Sequence, residues 1–309
     1  MKFAFVFPGQ GSQSVGMMAD FYSAFPEVKA TFDEANEALG YDLWDLVQNG
    51  PEEKLNQTEF TQPAVLTAGV AMYRAFTASC DLQPAMMAGH SLGEYAALVC
   101  AGSMSLADGV QLVAERGRLM QQAVPEGEGA MAAILGLDDE TLINICAQVD
   151  GVVQAVNFNS PGQVVIAGET AAVNAAIELC KEAKAKRALP LPVSVPSHSS
   201  LMKGAADKLA DRLLVTELSM PSVPVFHNVT ALATGSVDAM KAALKEQLYN
   251  PVLWVDTVNN LIDAGVEATV ECGPGKVLSG LNKRINKAIP SLALVSPEGM
   301  QKVIEDLKA

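Results

Sequence analysis

One serine of this chain stands where a catalytic nucleophile would be expected. Ser91 is the centre of the pentapeptide Gly89-His90-Ser91-Leu92-Gly93, which follows an apolar run and precedes a segment rich in alanine and leucine. This order predicts a strand, a tight turn and a helix, the arrangement called a nucleophile elbow. The two glycines permit a sharp turn without a Cβ clash, and the turn exposes the serine hydroxyl at the end of the strand. Ser91 is therefore a candidate for covalent catalysis.

A general base for this serine has to be sought among three histidines. His90 adjoins Ser91, where neighbouring side chains diverge, and His227 lies in an apolar stretch typical of a strand. His198 sits in Pro196-Ser197-His198-Ser199-Ser200, just before a segment with helical apolar spacing. A helix N-terminus disfavours the imidazolium and would keep this ring able to accept a proton. A lone loop histidine is ordinarily a surface residue, but with the elbow upstream we predict that His198 is the base.

The group that orients the imidazole is left open by the sequence, because no carboxylate can be picked out. The stretch Gln247-Leu248-Tyr249-Asn250-Pro251-Val252-Leu253-Trp254 is expected to close a helix and form a rigid turn. An amide or a backbone carbonyl there could accept the hydrogen bond instead.

A glycine-rich loop follows the first apolar segment. Residues 3–7 predict a buried strand, and Pro8-Gly9-Gln10-Gly11-Ser12-Gln13 comes directly after it. The loop fails the dinucleotide-binding fingerprint because Ser14 stands where the third glycine is required. It could instead present a backbone N–H, from Gln10 or Gly11, to a developing oxyanion. An ordinary turn is the alternative.

One arginine of the predicted helix 105–122 is set on its apolar side. The residues three and four positions away from Arg116 are all apolar, whereas most of those around Arg118 are polar. Because an unpaired guanidinium inside a protein is costly, Arg116 is expected to have a carboxylate partner. That carboxylate could belong to the chain itself or to a ligand.

The elements around these residues alternate in type. Strand 3–7 is followed by helical spacing at 27–39 and 63–80, and then by the strand and helix of the elbow. This alternation favours an α/β fold with a mostly parallel sheet. A serine followed by a histidine about a hundred residues later is the order found in α/β-hydrolase-like domains.

The middle of the chain has a different pattern, which predicts a ferredoxin-like βαββαβ unit. The predicted strands are 130–135, 152–157, 163–167 and 187–191, and the predicted helices are 138–149 and 170–184. We therefore expect two domains. Residues 1–124 and 195–309 would form a large α/β-hydrolase-like domain, and residues 125–194 a small ferredoxin-like domain inserted in it.

Composition limits the classes of partner. The chain has 309 residues, enough for a sizeable core, and its net charge of −14 argues against general nucleic-acid binding. No apolar run approaches the ~20 residues of a membrane helix, and residues 3–7 are too few for an export signal, so we expect no membrane contact. The five cysteines are widely spaced, without metal-ligand spacing, as expected for reduced residues of a cytoplasmic protein.

Five motifs together resemble those of the malonyl-CoA:acyl carrier protein transacylases of bacterial fatty-acid synthesis. They are Phe7-Pro8-Gly9-Gln10-Gly11-Ser12-Gln13, Gly89-His90-Ser91-Leu92-Gly93-Glu94-Tyr95, Asn157-Phe158-Asn159-Ser160-Pro161-Gly162-Gln163, Val195-Pro196-Ser197-His198 and Gln247-Leu248-Tyr249-Asn250-Pro251. The resemblance covers nearly the whole chain. It implies ping-pong transfer of malonyl from malonyl-CoA to the phosphopantetheine thiol of acyl carrier protein, without a cofactor. We expect a cytoplasmic monomer.

The resemblance also implies roles for the residues already singled out. Ser91 would be the acylated nucleophile and His198 the base, with the carbonyl of Gln247 orienting the imidazole. Arg116 would bind the free carboxylate of the malonyl group, which is the ligand partner that its position on the helix left open.

The remaining roles concern the oxyanion and the choice of acyl group. The resemblance assigns the oxyanion hole to the backbone N–H groups of Gln10 and Leu92. In modular relatives the residue before the histidine varies with the acyl group, and Ser197 at this position does not decide between malonyl and methylmalonyl.

Two other functions fit the elbow. A serine thioesterase or hydrolase would share the acyl-enzyme and use water as the second acceptor. A nucleotide- or acyl-binding module with a silent elbow would form no acyl-enzyme at all.

Carrier proteins are acidic, as this chain is, so docking requires a local basic patch. Two clusters are available: Lys181, Lys184, Lys186 and Arg187, and Lys276, Lys283, Arg284 and Lys287. Solvated helix faces are the more common meaning of such runs.

Overall fold

The computed structural model describes residues 1–193 and 195–309 and has two separate sheets. Its strands are β1 (Phe3–Phe7), β2 (Met86–Gly89), β3 (Gly129–Leu135), β4 (Val153–Ser160), β5 (Gln163–Glu169), β6 (Arg187–Pro190), β7 (Val225–Phe226), β8 (Ala268–Glu271) and β9 (Ser291–Ala293). Its helices are α1 (Ala19–Ala24), α2 (Pro26–Leu39), α3 (Leu43–Asn49), α4 (Glu52–Leu55), α5 (Thr58–Ser79), α6 (Gly93–Cys100), α7 (Leu106–Ala123), α8 (Asp139–Gln148), α9 (Thr170–Glu182), α10 (Lys203–Val215), α11 (Val237–Glu246), α12 (Trp254–Asp263), α13 (Val277–Ile285) and α14 (Pro297–Lys308), with a 3-10 turn at Ser200–Met202.

The first sheet is parallel and has the strand order β7-β2-β1-β8-β9. Its middle strand β1 is buried over its whole length, as expected for an apolar strand covered on both faces. Alternate residues of β1 enter different cores. Phe5 meets Phe76 of α5 edge to face with ring centroids 5.0 Å apart, whereas Val6 joins the cluster that contains Trp254. This central strand leads directly into the glycine-rich loop.

The second sheet is antiparallel and has the order β4-β5-β3-β6. One face, with Ile134 and Ile166, packs on α8 and α9. The opposite face carries a smaller cluster with Met131, Val156 and Val165. Alternating side chains therefore serve two faces, one of which is free to line a cavity.

A short backbone pairing joins the two parts of the molecule. Val252 N donates to Val156 O at 2.8 Å, and Phe158 N donates to Val252 O at 3.0 Å. These bonds fix the strand β4 against the segment that follows α11. Residues from both sheets can therefore contribute to one site.

The predicted α/β organisation, with a parallel sheet and a separate antiparallel sheet, is confirmed. Some predicted ends differ. Helix α5 begins at Thr58 rather than at 63, because Pro63 is accommodated one turn inside the helix instead of in its first turn. Strand β4 continues to Ser160 because the turn to β5 is tight enough for Ser160 and Gln163 to pair.

Candidate active site

Ser91 lies in the connection between β2 and α6, where the backbone is tightly folded. A Cβ on Gly89 would lie 1.9 Å from the carbonyl carbon of Gly93, and a Cβ on Gly93 would lie 2.0 Å from the carbonyl oxygen of Phe7. Both positions therefore require glycine. Ser91 itself has φ 52°, a left-handed conformation that non-glycine residues rarely adopt. This strand, tight turn and helix are the arrangement that the sequence predicted for residues 89–93.

Two hydrogen bonds hold the backbone of Ser91 in this conformation. Its N–H donates to Asn228 Oδ1 at 2.6 Å, and its carbonyl accepts from Gln247 Nε2 at 2.9 Å. Asn228 also donates from Nδ2 to the carbonyl of Gly89 at 2.6 Å. The strained residue is thus fixed on both sides by buried side chains.

The imidazole of His198 lies between Ser91 and Gln247. His198 Nδ1 is 2.6 Å from the carbonyl oxygen of Gln247, and Nε2 is 2.8 Å from Ser91 Oγ. Because a carbonyl only accepts, Nδ1 carries the proton and Nε2 can accept from the serine hydroxyl. The group that the sequence left open is therefore a backbone carbonyl.

His198 is almost completely buried, at 2% exposure. Burial and the neighbouring charge of Arg116 lower its pKa to about 3. The ring is consequently neutral and able to accept a proton at physiological pH. The sequence attributed this neutrality to a helix N-terminus, but burial is the larger cause.

Arg116 is 1% exposed and is held by neutral partners. It donates from Nη1 to Gln62 Oε1 at 2.8 Å, and from Nη2 to Gln247 Oε1 at 2.9 Å and Ser91 Oγ at 3.2 Å. Its Nε is buried without a partner in the described part of the chain. Burial lowers the pKa of this guanidinium from its usual value.

The expected carboxylate partner of Arg116 is not supplied by residues 1–193 or 195–309, where no acidic side chain forms an ion pair with it. Amide and hydroxyl oxygens accept hydrogen bonds from Nη1 and Nη2 instead, and they leave the positive charge unneutralised. A buried cation beside the nucleophile, with its Nε–H unpaired in the described residues, is suited to bind an anionic ligand.

Gln10 and Leu92 line the cavity next to Ser91. Leu92 is the N-cap of α6, so its N–H lies among the helix N–H groups that have no intrahelical acceptor. The N–H of Gly11 donates to Gln13 Oε1 at 2.7 Å. Of the two loop donors that the sequence left open, Gln10 is therefore the better placed to receive an oxyanion.

The cavity has a volume of about 240 Å³ and lies between the two sheets. Met131 and Asn157 of the antiparallel sheet line it together with Ser91, Arg116 and His198. Asn157 Oδ1 is buried and has no partner in the described residues, so the wall offers a free acceptor. Ser194, at the predicted domain boundary, lies outside the described residues.

The other two histidines are engaged elsewhere. His90 Nε2 is 2.7 Å from Asn159 Oδ1, and burial lowers its pKa. His227 follows β7 directly, as its strand-like surroundings predicted, and its Nδ1 is 2.7 Å from Glu94 Oε1. Neither ring is hydrogen-bonded to Ser91, which leaves His198 as the candidate base.

Three residues of the site were not found from the sequence: Gln62, Glu94 and Asn228. Glu94 carried a usable signal, because it is the single charged residue of α6 and the residues three and four positions after it, Ala97 and Leu98, are apolar. A similar comparison, with apolar neighbours on both sides, had selected Arg116. Asn228 gave no such signal, since its contacts with Ser91 depend on chain packing across 137 residues.

Neither a metal site nor a membrane span was found in the part of the chain that the structure describes. There, no group of three or more histidine, cysteine, aspartate or glutamate residues could hold a metal ion. No helix there is both long and apolar enough to cross a membrane. All five cysteines are free thiols.

Comparison with known proteins identifies the family. Residues 4–298 match the acyl transferase domain. The malonyl CoA-acyl carrier protein transacylase of Escherichia coli (strain K12) is 57% identical over 306 residues, which are 98% of this chain and 99% of that protein. The transacylase of Bacillus subtilis (strain 168) is 47% identical over 310 residues, with 99% and 98% of the two chains covered.

Solved structures agree with these relatives. The malonyl CoA-acyl carrier protein transacylase of Coxiella burnetii superimposes with a TM-score of 0.98 at 48% identity, covering 100% of this chain and 98% of that one. A malonyl-transacylase in complex with a type II PKS acyl-carrier protein superimposes with a TM-score of 0.98 at 53% identity, covering 99% of this chain and 100% of that one. The resemblance carried by the five motifs is thereby confirmed, and the chain belongs to the acyl transferase domain family, among the malonyl CoA-acyl carrier protein transacylases.

Proposed function

We propose that this chain transfers the malonyl group from malonyl-CoA to the phosphopantetheine thiol of acyl carrier protein, for fatty-acid synthesis. The observation that carries the proposal is the environment of Ser91 Oγ, which lies 2.8 Å from a neutral imidazole and 3.2 Å from a buried guanidinium. The first group activates a nucleophile and the second suits a substrate with a free carboxylate. The names of the relatives give the same activity.

In the first step His198 Nε2 takes the proton of Ser91 as Oγ attacks the thioester carbonyl. The oxyanion is stabilised by the N–H groups of Gln10 and Leu92, and the Gln247 carbonyl stabilises the imidazolium. Collapse of the tetrahedral intermediate breaks the C–S bond. CoA leaves with the proton from His198, and malonyl-Ser91 remains.

The second step repeats this chemistry with a different nucleophile. His198 deprotonates the thiol of the carrier's phosphopantetheine, and the sulfur attacks the ester carbonyl of malonyl-Ser91. The bond to Oγ breaks, and the serine recovers its proton from the imidazolium. No cofactor is needed, because the side chains and backbone groups named here move every proton and hold the charge.

A serine thioesterase would share the first step and differ only in using water. The relatives named above are transacylases, so transfer is the function favoured. A cytoplasmic location and a monomeric state stay predictions of the sequence, which leaves the choice between malonyl and methylmalonyl open.

We infer that the two sheets correspond to two domains with the predicted boundaries. Support comes from the element order β3-α8-β4-β5-α9-β6 and the strand order β4-β5-β3-β6, which are those of a ferredoxin-like unit at 125–194. The elbow between a parallel strand and α6 supports an α/β-hydrolase-like domain for 1–124 and 195–309.

The two basic clusters meet at one groove, which we propose as the docking site of the acidic carrier protein. Lys186 and Arg284, one from each cluster, line a cleft of about 500 Å³ next to the β4–β5 turn. Lys283 and Arg284 lie on the exposed side of α13. Lys181, by contrast, is already paired with Glu178 at 2.7 Å.

Replacing Arg116 with alanine tests the anchor for the free carboxylate. We expect kcat/KM for malonyl-CoA to fall by about 100-fold or more while acetyl-CoA, which lacks the carboxylate, is affected far less. Acylation of the protein by each thioester, followed by intact mass, measures this. Arg118→Ala is the matched control, because Arg118 is exposed and paired with Glu115. An unchanged preference for malonyl in Arg116→Ala would exclude this role.

The low pKa of His198 predicts an unusual pH dependence. A base works above its pKa, so acylation should be lost only as pH falls toward about 3. We expect kcat/KM for acylation at pH 5 to stay within about twofold of its value at pH 7, where a histidine of ordinary pKa would lose about 30-fold. Rapid-quench acylation measures the rate, with circular dichroism to verify folding. A midpoint near the ordinary histidine pKa would contradict this account.

Reversing the charges of the groove tests carrier docking. In Lys186→Glu/Arg284→Glu we expect KM for the carrier protein to rise about tenfold through lost electrostatic attraction. KM for malonyl-CoA should be unchanged. Lys302→Glu/Lys308→Glu, at two exposed positions of α14, controls for the change in net charge. Equal effects on both substrates, or equal effects of the control, would rule out this docking site.

A further inference from the structure

Glu94 is a fully buried carboxylate below the nucleophile elbow. It lies in the first turn of α6 and is 0% exposed. His227 Nδ1 lies 2.7 Å from its Oε1, while Asn228 N and Gln247 Nε2 donate to its Oε2 at 2.9 and 2.8 Å. Both N–H groups at Oε2 are donors, so this oxygen of the side chain is the acceptor of two hydrogen bonds. It is absent from the described cavity lining, so it would act through other residues.

The side-chain amide of Gln247 connects Glu94 to the reacting groups. Its Oε1 accepts from Arg116, and its Nε2 donates to both Glu94 and the carbonyl of Ser91. A guanidinium can only donate, whereas a carbonyl and a carboxylate can only accept. One orientation of the amide satisfies all three partners, and the reverse orientation satisfies none of them.

The second link from Glu94 to the nucleophile runs through Asn228. The N–H of Asn228 bonds to Glu94, and its side chain accepts from the N–H of Ser91. Both bonds that hold the backbone of Ser91 therefore come from residues that Glu94 itself holds. Since Ser91 has a disfavoured φ of 52°, its position depends on these bonds.

We propose that Glu94 is a positioning residue for malonyl transfer, an inference that rests on the function proposed above. Its carboxylate fixes the Gln247 amide with Oε1 toward Arg116 and Nε2 toward Ser91. Arg116 thereby keeps a neutral acceptor that aims its guanidinium at the substrate carboxylate. The side chain of Gln247 lies between the carboxylate of Glu94 and the guanidinium of Arg116. Glu94 therefore stabilises the cation without occupying the anion site.

Glu94→Gln changes the hydrogen bonding and hardly changes the shape. A glutamine at this position offers only one acceptor oxygen, and where its NH₂ takes the place of Oε2 it faces the Nε2 donor of Gln247. Reversing the Gln247 amide would relieve that conflict, but would turn its NH₂ toward the Arg116 guanidinium. We therefore expect the loss to be greatest for the substrate that uses Arg116.

A double-mutant cycle between Glu94→Gln and Arg116→Ala tests this coupling. We expect Glu94→Gln alone to lower kcat/KM for malonyl-CoA by about 30-fold and kcat/KM for acetyl-CoA by less than about fivefold. In the Arg116→Ala background, Glu94→Gln should lower kcat/KM for malonyl-CoA by only about threefold. Intact-mass acylation measures all four proteins. If Glu94→Gln lowers kcat/KM for malonyl-CoA by the same factor in both backgrounds, the role of Glu94 is purely structural and the proposal is overturned.

His227→Gln is the matched control for damage to the fold. His227 contacts the other oxygen of Glu94 and has no hydrogen bond to Gln247 in the described residues. It should lower the melting temperature while keeping the malonyl preference, and an equal loss of preference would count against Glu94. If Glu94→Gln does not fold, Glu94→Asp, which retracts the carboxylate, replaces it in the cycle with the same expectation.

Failure of this inference is distinguishable from failure of the proposed function. If Arg116→Ala alone leaves the malonyl preference intact, the role of Arg116 is wrong, and the role of Glu94 that depends on it is overturned as well. If Arg116→Ala removes the preference but the cycle is additive, malonyl transfer stands and only the positioning role of Glu94 is lost.

Discussion

The carbonyl of Gln247 accepts a hydrogen bond from His198 at 2.6 Å, while the side-chain amide of the same residue bonds to Arg116 and Ser91. One residue at the end of α11 therefore sets the tautomer of the proposed base and the positions of the proposed nucleophile and anion site. Because Gln247 is fully buried, these groups cannot move independently. Such fixed geometry is what a two-step acyl transfer needs, since the same atoms must serve both steps.

The electrostatics of this site depend on the lack of an ion pair between Arg116 and any acidic side chain of the described residues. Neutral oxygens hold its guanidinium in place and leave its charge for a ligand, and the same charge helps to keep His198 unprotonated. A direct carboxylate partner would remove both effects. The buried acid Glu94 is separated from Arg116 by the amide of Gln247. Its carboxylate stabilises the cation from that distance.

Features that depend on local pattern were predictable from the sequence. The elbow follows from two glycines around Ser91, the inward side of Arg116 from its helical neighbours, and the second sheet from alternation of strands and helices. Contacts between residues far apart in the chain, such as Asn228 and Ser91, were not predictable, because only tertiary packing brings them together. The residues around Arg116 could not decide between a carboxylate of the chain itself and one of a ligand, since the general cost of burying a charge does not say which groups can share it.

The most direct test of the whole account is the fate of the acyl-enzyme. The protein is incubated with malonyl-CoA, freed of excess thioester, and followed by intact mass with or without carrier protein that bears phosphopantetheine. We expect a malonyl adduct that is absent in Ser91→Ala, persists in buffer and moves to the carrier thiol when the carrier is added. Loss of the adduct to water at the same rate without the carrier, or an adduct that survives in Ser91→Ala, would contradict it.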